Sequence, residues 1–205
     1  MQYLKPFLLS MLLLSATLGF SQQDEGEPKG FNPNRVFVGG SVGLGFGGGV
    51  GSSFALGLFP QVGYSITPWF DAGLAINLNY TTLKYNDPGF GRVTQNSLNY
   101  GGGMFVRAFP IRNVFLQVQP EYNWISYTLK SPSINNPIKQ TVSAPSVLLG
   151  GGYGGRVVGQ TGFFTMIAFD VLKNINSPYR NNYNEAIPLI RGGFYTYLGK
   201  GGPRN

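Results

Sequence analysis

The chain has 205 residues, of which 11% are charged and 15% aromatic, with a formal net charge of +7. It holds 31 glycines, no cysteine and no histidine. Disulfides, Cys- or His-based nucleophilic chemistry and Ser-His-Asp triads are excluded, as are most zinc sites.

In chain order, Lys5 precedes an apolar run from Phe7 to Leu14, and Gly19-Phe20-Ser21 offers a small-residue cleavage site. This pattern predicts a secretory signal peptide over 1–21. An N-terminal membrane anchor is the competing reading, but the run is short for a helix of about 20 residues across a bilayer. Residues 22–34 are acidic, polar and proline-containing and predict an unstructured tail. An exported chain with scattered Lys and Arg is not expected to bind nucleic acid, despite its positive charge.

From residue 35 the dominant period is two. Val36, Val38, Val42, Leu44 and Phe46 alternate with Gly39, Ser41, Gly43 and Gly45. Phe54, Leu56, Leu58, Val62, Tyr64 and Ile66 form the second apolar face, and Phe70, Leu74, Ile76, Leu78 and Tyr80 the third. The pattern returns near 93–108, 114–128, 141–155, 162–172 and 188–198, which predicts about eight long strands. Connections at 67–69, 109–113 and 156–161 are short. Those at 86–92, 130–140 and 173–187 are longer and read as loops; the connection near 47–52 is short and made of Gly, Val and Ser.

Gly43, Gly45 and Gly48 spell G-x-G-x-x-G within VGGSVGLGFGGGVG. A dinucleotide site needs a helix after the glycines, and residues 53 to 66 alternate with period two instead. The run is better read as the small inner face of a curved strand with a tight turn. Gly101-Gly102-Gly103 and the 150–155 run repeat the pattern. No cofactor is expected.

A water-soluble sandwich would carry Lys, Glu and Thr on its polar face. Here that face carries Gly, Ala, Ser and Asn. Aromatic residues cluster at the segment ends: Trp69, Phe70 and Phe109 beside short turns, and Tyr80, Tyr85, Tyr122 and Trp124 near the longer connections. They predict two aromatic girdles at the interfaces of a bilayer. The expected fold class is all-β: a membrane-spanning antiparallel up-and-down β-barrel of about eight strands over 35–198, followed by a C-terminal tail at 199–205.

The FVGGSVGLGFGGG opening, LGLFPQVGYSITPWFDAGLAINLNY, YGGGMFVRAFP and FLQVQPEYNW resemble the small outer-membrane β-barrel proteins common in Bacteroidota, often labelled porin-like. The architecture is similar to OmpA- and OmpX-type barrels. The resemblance implies a bacterial outer-membrane location, with 22–34 as a periplasmic tail, and it says little about activity. Many outer-membrane strands end the chain on an aromatic residue, whereas here GKGGPRN follows Tyr195, Tyr197 and Leu198.

Asp71, Arg107, Glu121, Asp170 and Arg191 fall on the small, polar faces and are expected inside, paired or wet. A hairpin centred on Gly89 sets Asp71 against Arg107, and one centred near Arg180 sets Asp170 against Arg191. Gln117, Gln119 and Asn123 neighbour Glu121. Such a network either plugs a narrow barrel or lines a pore. Asp71 with Glu121 as a catalytic pair would need a cleft and lacks a histidine, so no enzyme is expected. Lys84, Arg92, Lys130, Lys139, Lys173 and Arg180 suggest a basic outer rim that suits lipopolysaccharide phosphates, or solvated loop charges. The expected role is structural, as a complex subunit with other outer-membrane proteins, or in surface interaction. The alternative is a narrow pore for ions or small solutes, and an outer-membrane enzyme is the third reading.

Overall fold

The computed structural model describes residues 31–47, 51–89, 91–133, 136–180 and 184–199. The expected signal peptide, most of the polar tail, Gly48 and residues 200–205 lie outside the described residues. The chain divides into two units, 1–31 and 32–205, and the strands of the described residues lie in the second.

Eight antiparallel strands close into a barrel in sequence order, with β8 hydrogen-bonded to β1. They are β1 (Val36–Gly47), β2 (Gly51–Thr67), β3 (Phe70–Asp87), β4 (Gly91–Ile111), β5 (Val114–Lys130), β6 (Ile138–Gly154), β7 (Gly162–Asp170) and β8 (Leu189–Tyr197). The period-two pattern places one residue set inside and the next outside. On β5, Phe115, Gln117, Gln119, Glu121, Asn123 and Ile125 are buried, while Leu116, Val118, Tyr122 and Trp124 are exposed.

The outward face is sorted by height. On β3 it reads Phe70, Ala72, Leu74, Ile76, Leu78 and Tyr80, then Thr82, Lys84 and Asn86. On β5 it reads Val114, Leu116, Val118, Pro120, Tyr122 and Trp124, then Ser126, Thr128 and Lys130. Each apolar row covers ten residue steps. At about 3.3 Å per step and a tilt of about 40°, that is a band roughly 25 Å tall. Neighbouring strands change from apolar to polar at adjacent register positions, since Tyr80 pairs with Leu98, Leu98 with Ser126, and Trp124 with Ser143.

Two of the expected long loops are shorter than expected, and most of 86–92 is strand. β3 and β4 continue to Asp87 and Gly91, around a turn in which Asp87 Oδ1 accepts from the Gly89 amide at 2.8 Å. β5 and β6 continue to Lys130 and from Ile138. Strand propensity and cross-strand pairing outlast the apolar band there, so β3 to β6 rise above it. The described residues between Asp170 and Leu189 lie outside the strands, as expected of a loop, and β7 and β8 are short. The wall is therefore tall on one side of the barrel and low on the other.

Inward glycines make room for large inward side chains. A β-carbon at Gly63 would meet the ring of Phe37, and one at Gly57 the ring of Phe59. This is the role expected of the glycine face, with small and large residues alternating across a narrow lumen.

Candidate functional site

The lumen is filled in two zones. At the short-turn end, Phe37, Phe105, Phe109, Phe115, Phe164, Tyr195 and Tyr197 form a buried aromatic cluster. Phe37 packs 5.6 Å from Tyr197 and 5.8 Å from Tyr195, and Phe115 lies 5.6 Å from Phe109 and 6.0 Å from Phe164. The guanidinium of Arg107 sits among these rings, 4.6 Å from Phe115 and 5.1 Å from Phe164. Aromatic faces offset part of the cost of burying that charge.

Above the cluster runs a polar wire. Arg107 Nη2 donates to Gln117 Oε1 at 2.8 Å, Gln117 Nε2 to Gln119 Oε1 at 2.9 Å, and Gln119 Nε2 to Glu121 Oε2 at 2.8 Å. Asn123 Nδ2 donates to Glu121 Oε1 at 2.9 Å, and Asn77 Nδ2 to Asn123 Oδ1 at 2.8 Å. Residues 117, 119, 121 and 123 share one face of β5, so strand periodicity alone stacks them. Each amide points its donor toward Glu121, and the charge of Arg107 polarises the chain in the same sense. The wire then crosses to the 171–188 loop. Asn123 Nδ2 reaches Ser146 Oγ at 3.3 Å, Ser146 Oγ lies 3.1 Å from Ser177 Oγ, and Ser177 Oγ donates to Asp170 Oδ2 at 2.5 Å.

The five inward charges all sit inside, but their ion pairs differ from expectation. Asp71 and Arg107 are register partners, yet they form no ion pair. Arg156, from the connection between β6 and β7, folds in and reaches Asp71 Oδ1 with Nη2 at 2.5 Å. It also donates to the carbonyls of Pro68 and Thr67 and lies over the Phe109 ring at 4.5 Å. Arg107, already held by Gln117 and the rings, points elsewhere. Asp170 does not face Arg191, because the β7–β8 register sets Arg191 against Met166. Asp170 Oδ2 instead lies 3.8 Å from Arg180 Nε, and Arg180 Nη2 donates to the Asp170 carbonyl at 2.7 Å. Arg180 thus leaves the expected basic rim and turns inward. The loop between β7 and β8 is not a symmetric hairpin, so counting from its centre misplaced the pair.

The remaining basic residues keep to the rim. Lys84 pairs with Thr94 and Thr94 with Lys130, so all three project from one face, and Arg92 and Lys139 lie on that same outward set. Lys173 is exposed on the 171–188 loop.

The aromatic expectation divides. Trp69, Tyr80, Tyr122 and Trp124 are exposed, and Phe70 is partly exposed on the outward face. Tyr100, missed in the sequence, stacks on Trp124 at 5.9 Å, and Tyr122 packs against Trp124 at 5.1 Å. Phe109 is instead buried inside, beneath Arg156, and Tyr85 shares the inward face with buried Val93, its register partner. Both have the parity of inward residues. Nearness to a turn does not override that parity.

The 171–188 loop closes part of the far end by inserting Tyr179, which is 1% exposed. Between this loop, β1, β2, β3 and β8 lies a cavity of about 340 Å³, lined by Gly43, Gly57, Phe59, Asn79, Tyr179 and Arg191 on its inner side. Among the described residues, no group of three or more acidic, His or Cys side chains could hold a metal ion.

No family model and no curated protein matches the chain. Among solved structures, it is similar to Neisserial surface protein A, with a TM-score of 0.43 and 13% identity, over 80% of this chain and 96% of that one.

Proposed function

We propose that the chain is an integral β-barrel of a bacterial outer membrane, with a plugged lumen and a structural, complex-subunit or surface-interaction role rather than a catalytic one. The observation that carries this reading is the outward apolar band of about 25 Å, the height expected of a membrane barrel's lipid-facing belt. Among the described residues, thirty-eight large hydrophobic side chains are exposed, far more than a soluble monomer leaves in contiguous patches. Over most of the band, backbone groups are paired between neighbouring strands around the ring, as hydrocarbon requires. Aromatic stacking below and the Tyr179 loop above leave the lumen filled, which supports a plug over a conducting path. The carboxylates inside are bound to arginines or amides, which argues against the catalytic pair. Lys84, Arg92, Lys130 and Lys139, pointing outward above the band, suit the phosphates of lipopolysaccharide. Other outer-membrane proteins are the further partners this lipid-facing surface would accept.

Two measurements test the reading. Leu74→Arg places a charge mid-band and should cost about 2–4 kcal/mol of insertion, whereas Asn86→Arg, above the band, should cost at most about 1. Equal effects in a vesicle-insertion assay would refute membrane burial of this face. In planar bilayers the purified protein should give no stepwise conductance, and regular ohmic steps would instead establish the pore.

A further inference from the structure

The barrel wall has a side opening. The ladder between β1 and β8 ends at the pair Gly43–Arg191, while β1 continues to Gly47. Among the described residues, no backbone hydrogen bond joins β1 beyond Gly43 to the 171–188 connection. Pro188, which begins the return into β8, has no amide hydrogen to give. Gly43 lies seven steps up β1 from Val36, or about 18 Å at the same rise and tilt. The exposed sheet edge above it therefore falls within the upper part of the apolar band, where an open edge needs covering.

The 340 Å³ cavity lies behind this opening. Its outer lip is apolar and includes Leu44 and Ile190, which are 58% and 59% exposed on the lipid-facing side. Its inner end is polar. Arg191 is 3% exposed and lies 3.7 Å over the Phe59 ring, and its Nε and Nη2 have no hydrogen-bond partner. The Tyr179 hydroxyl faces Arg191, Glu121 and Asn99 but closes no hydrogen bond with them. The buried charges also fail to cancel. Among the described residues, arginines 107, 156, 180 and 191 face the carboxylates of Asp71, Glu121 and Asp170. Arg156 and Arg180 have carboxylate partners, and Glu121 is already held by two amides. Arg191 feels the charge of Glu121 and faces Tyr179, yet its Nε and Nη2 make no hydrogen bond. A buried guanidinium with free N–H groups beside an opening to hydrocarbon can receive an oxyanion that brings an apolar chain with it.

We propose that this cavity binds an anionic amphiphile from the outer leaflet, its oxyanion head on Arg191 and Tyr179 and its acyl chain leaving between Leu44 and Ile190. The inference rests on the membrane reading above. Carboxylate and phosphate heads share the required chemistry, and the acyl chain separates a lipid from a free anion.

The test is native mass spectrometry of the full-length barrel in a neutral detergent, with tetradecanoate as the probe and methyl tetradecanoate and inorganic phosphate as comparisons. One tetradecanoate adduct is expected. Arg191→Gln should weaken it by about tenfold or more, the scale of a lost charge-assisted hydrogen bond. Ala55→Leu, which fills the cavity and leaves Arg191 in place, should weaken it similarly, as should methylation of the head. Heat-modifiable electrophoretic migration reports folding of each variant, and Ala55→Leu carries the test if Arg191→Gln does not fold. A folded, vesicle-inserting wild type without an adduct would overturn the inference and leave the barrel reading intact. An adduct unchanged in the folded variants, or inorganic phosphate binding as well as tetradecanoate, would also overturn it.

Discussion

Replacing Asp71 by Asn removes the carboxylate charge from a pair whose side chains are 3% and 4% exposed. Arg156 then keeps its carbonyl bonds to Pro68 and Thr67 and its place over Phe109, but its charge is left buried without a counter-ion. Breaking one side of such a pair costs about 3–5 kcal/mol. Arg156→Gln should cost a similar amount, because Asp71 then retains only Ser65, whose hydroxyl donates at 2.8 Å, and the more distant Arg107. The double variant loses both charges together. Its cost should fall short of the sum by about 2–3 kcal/mol. In the cycle with Arg107→Gln the shortfall should stay below about 1 kcal/mol, since Arg107 bonds to Gln117 and not to Asp71. The assay is urea unfolding in neutral detergent, followed by Trp69 near the pair and Trp124 at the opposite girdle. Coupling to Arg107 equal to or larger than coupling to Arg156 would refute the assignment of the ion pair.

Two further outcomes follow from the same geometry. Gln119→Leu should lower the urea unfolding free energy by about 2–3 kcal/mol, because it strips a donor from Glu121 and an acceptor from Gln117. An unchanged unfolding midpoint would show that the wire contributes nothing to stability. Gly103→Ala should prevent refolding into the heat-modifiable form, since its β-carbon would overlap the Pro120 carbonyl oxygen and crowd the Glu121 backbone. Gly192→Ala, which meets nothing within 4 Å, should refold like wild type, and failure of that control would implicate glycine content in general.

The strands were legible because one face meets a single environment along its whole length. Alternation of Leu, Val and Ile with Gly, Ser and Asn marks β1 to β3 without ambiguity. Register was legible where a hairpin is symmetric, and counting outward from Gly89 sets Asp71 opposite Arg107, as the ladder has it. It was not legible across 171–188, where the loop has its own bridge between Arg180 and Ala186 and no strand symmetry to count from. Phe109 shows a different failure. It shares the parity of Arg107 and so belongs inside, but its place beside a turn suggested a girdle.

The inward arginines of the connections left no periodic trace, because Arg156 and Arg180 lie outside the strands. Charge balance was the available signal. The strand positions alone place Asp71, Glu121 and Asp170 inside against Arg107 and Arg191, and a buried excess of negative charge calls for a cation from elsewhere. The connections supply two cations, not one, which turns the deficit into a surplus. The surplus is shared by Arg107, held by glutamine and aromatic rings, and Arg191, which faces Glu121 and Tyr179 but leaves Nε and Nη2 without a hydrogen bond. The wall is lowest beside Arg191, at the last rung between β1 and β8. A plug designed only to close the barrel would need neither the surplus charge nor the break in the ladder. Their coincidence at one point distinguishes a binding device from a seal.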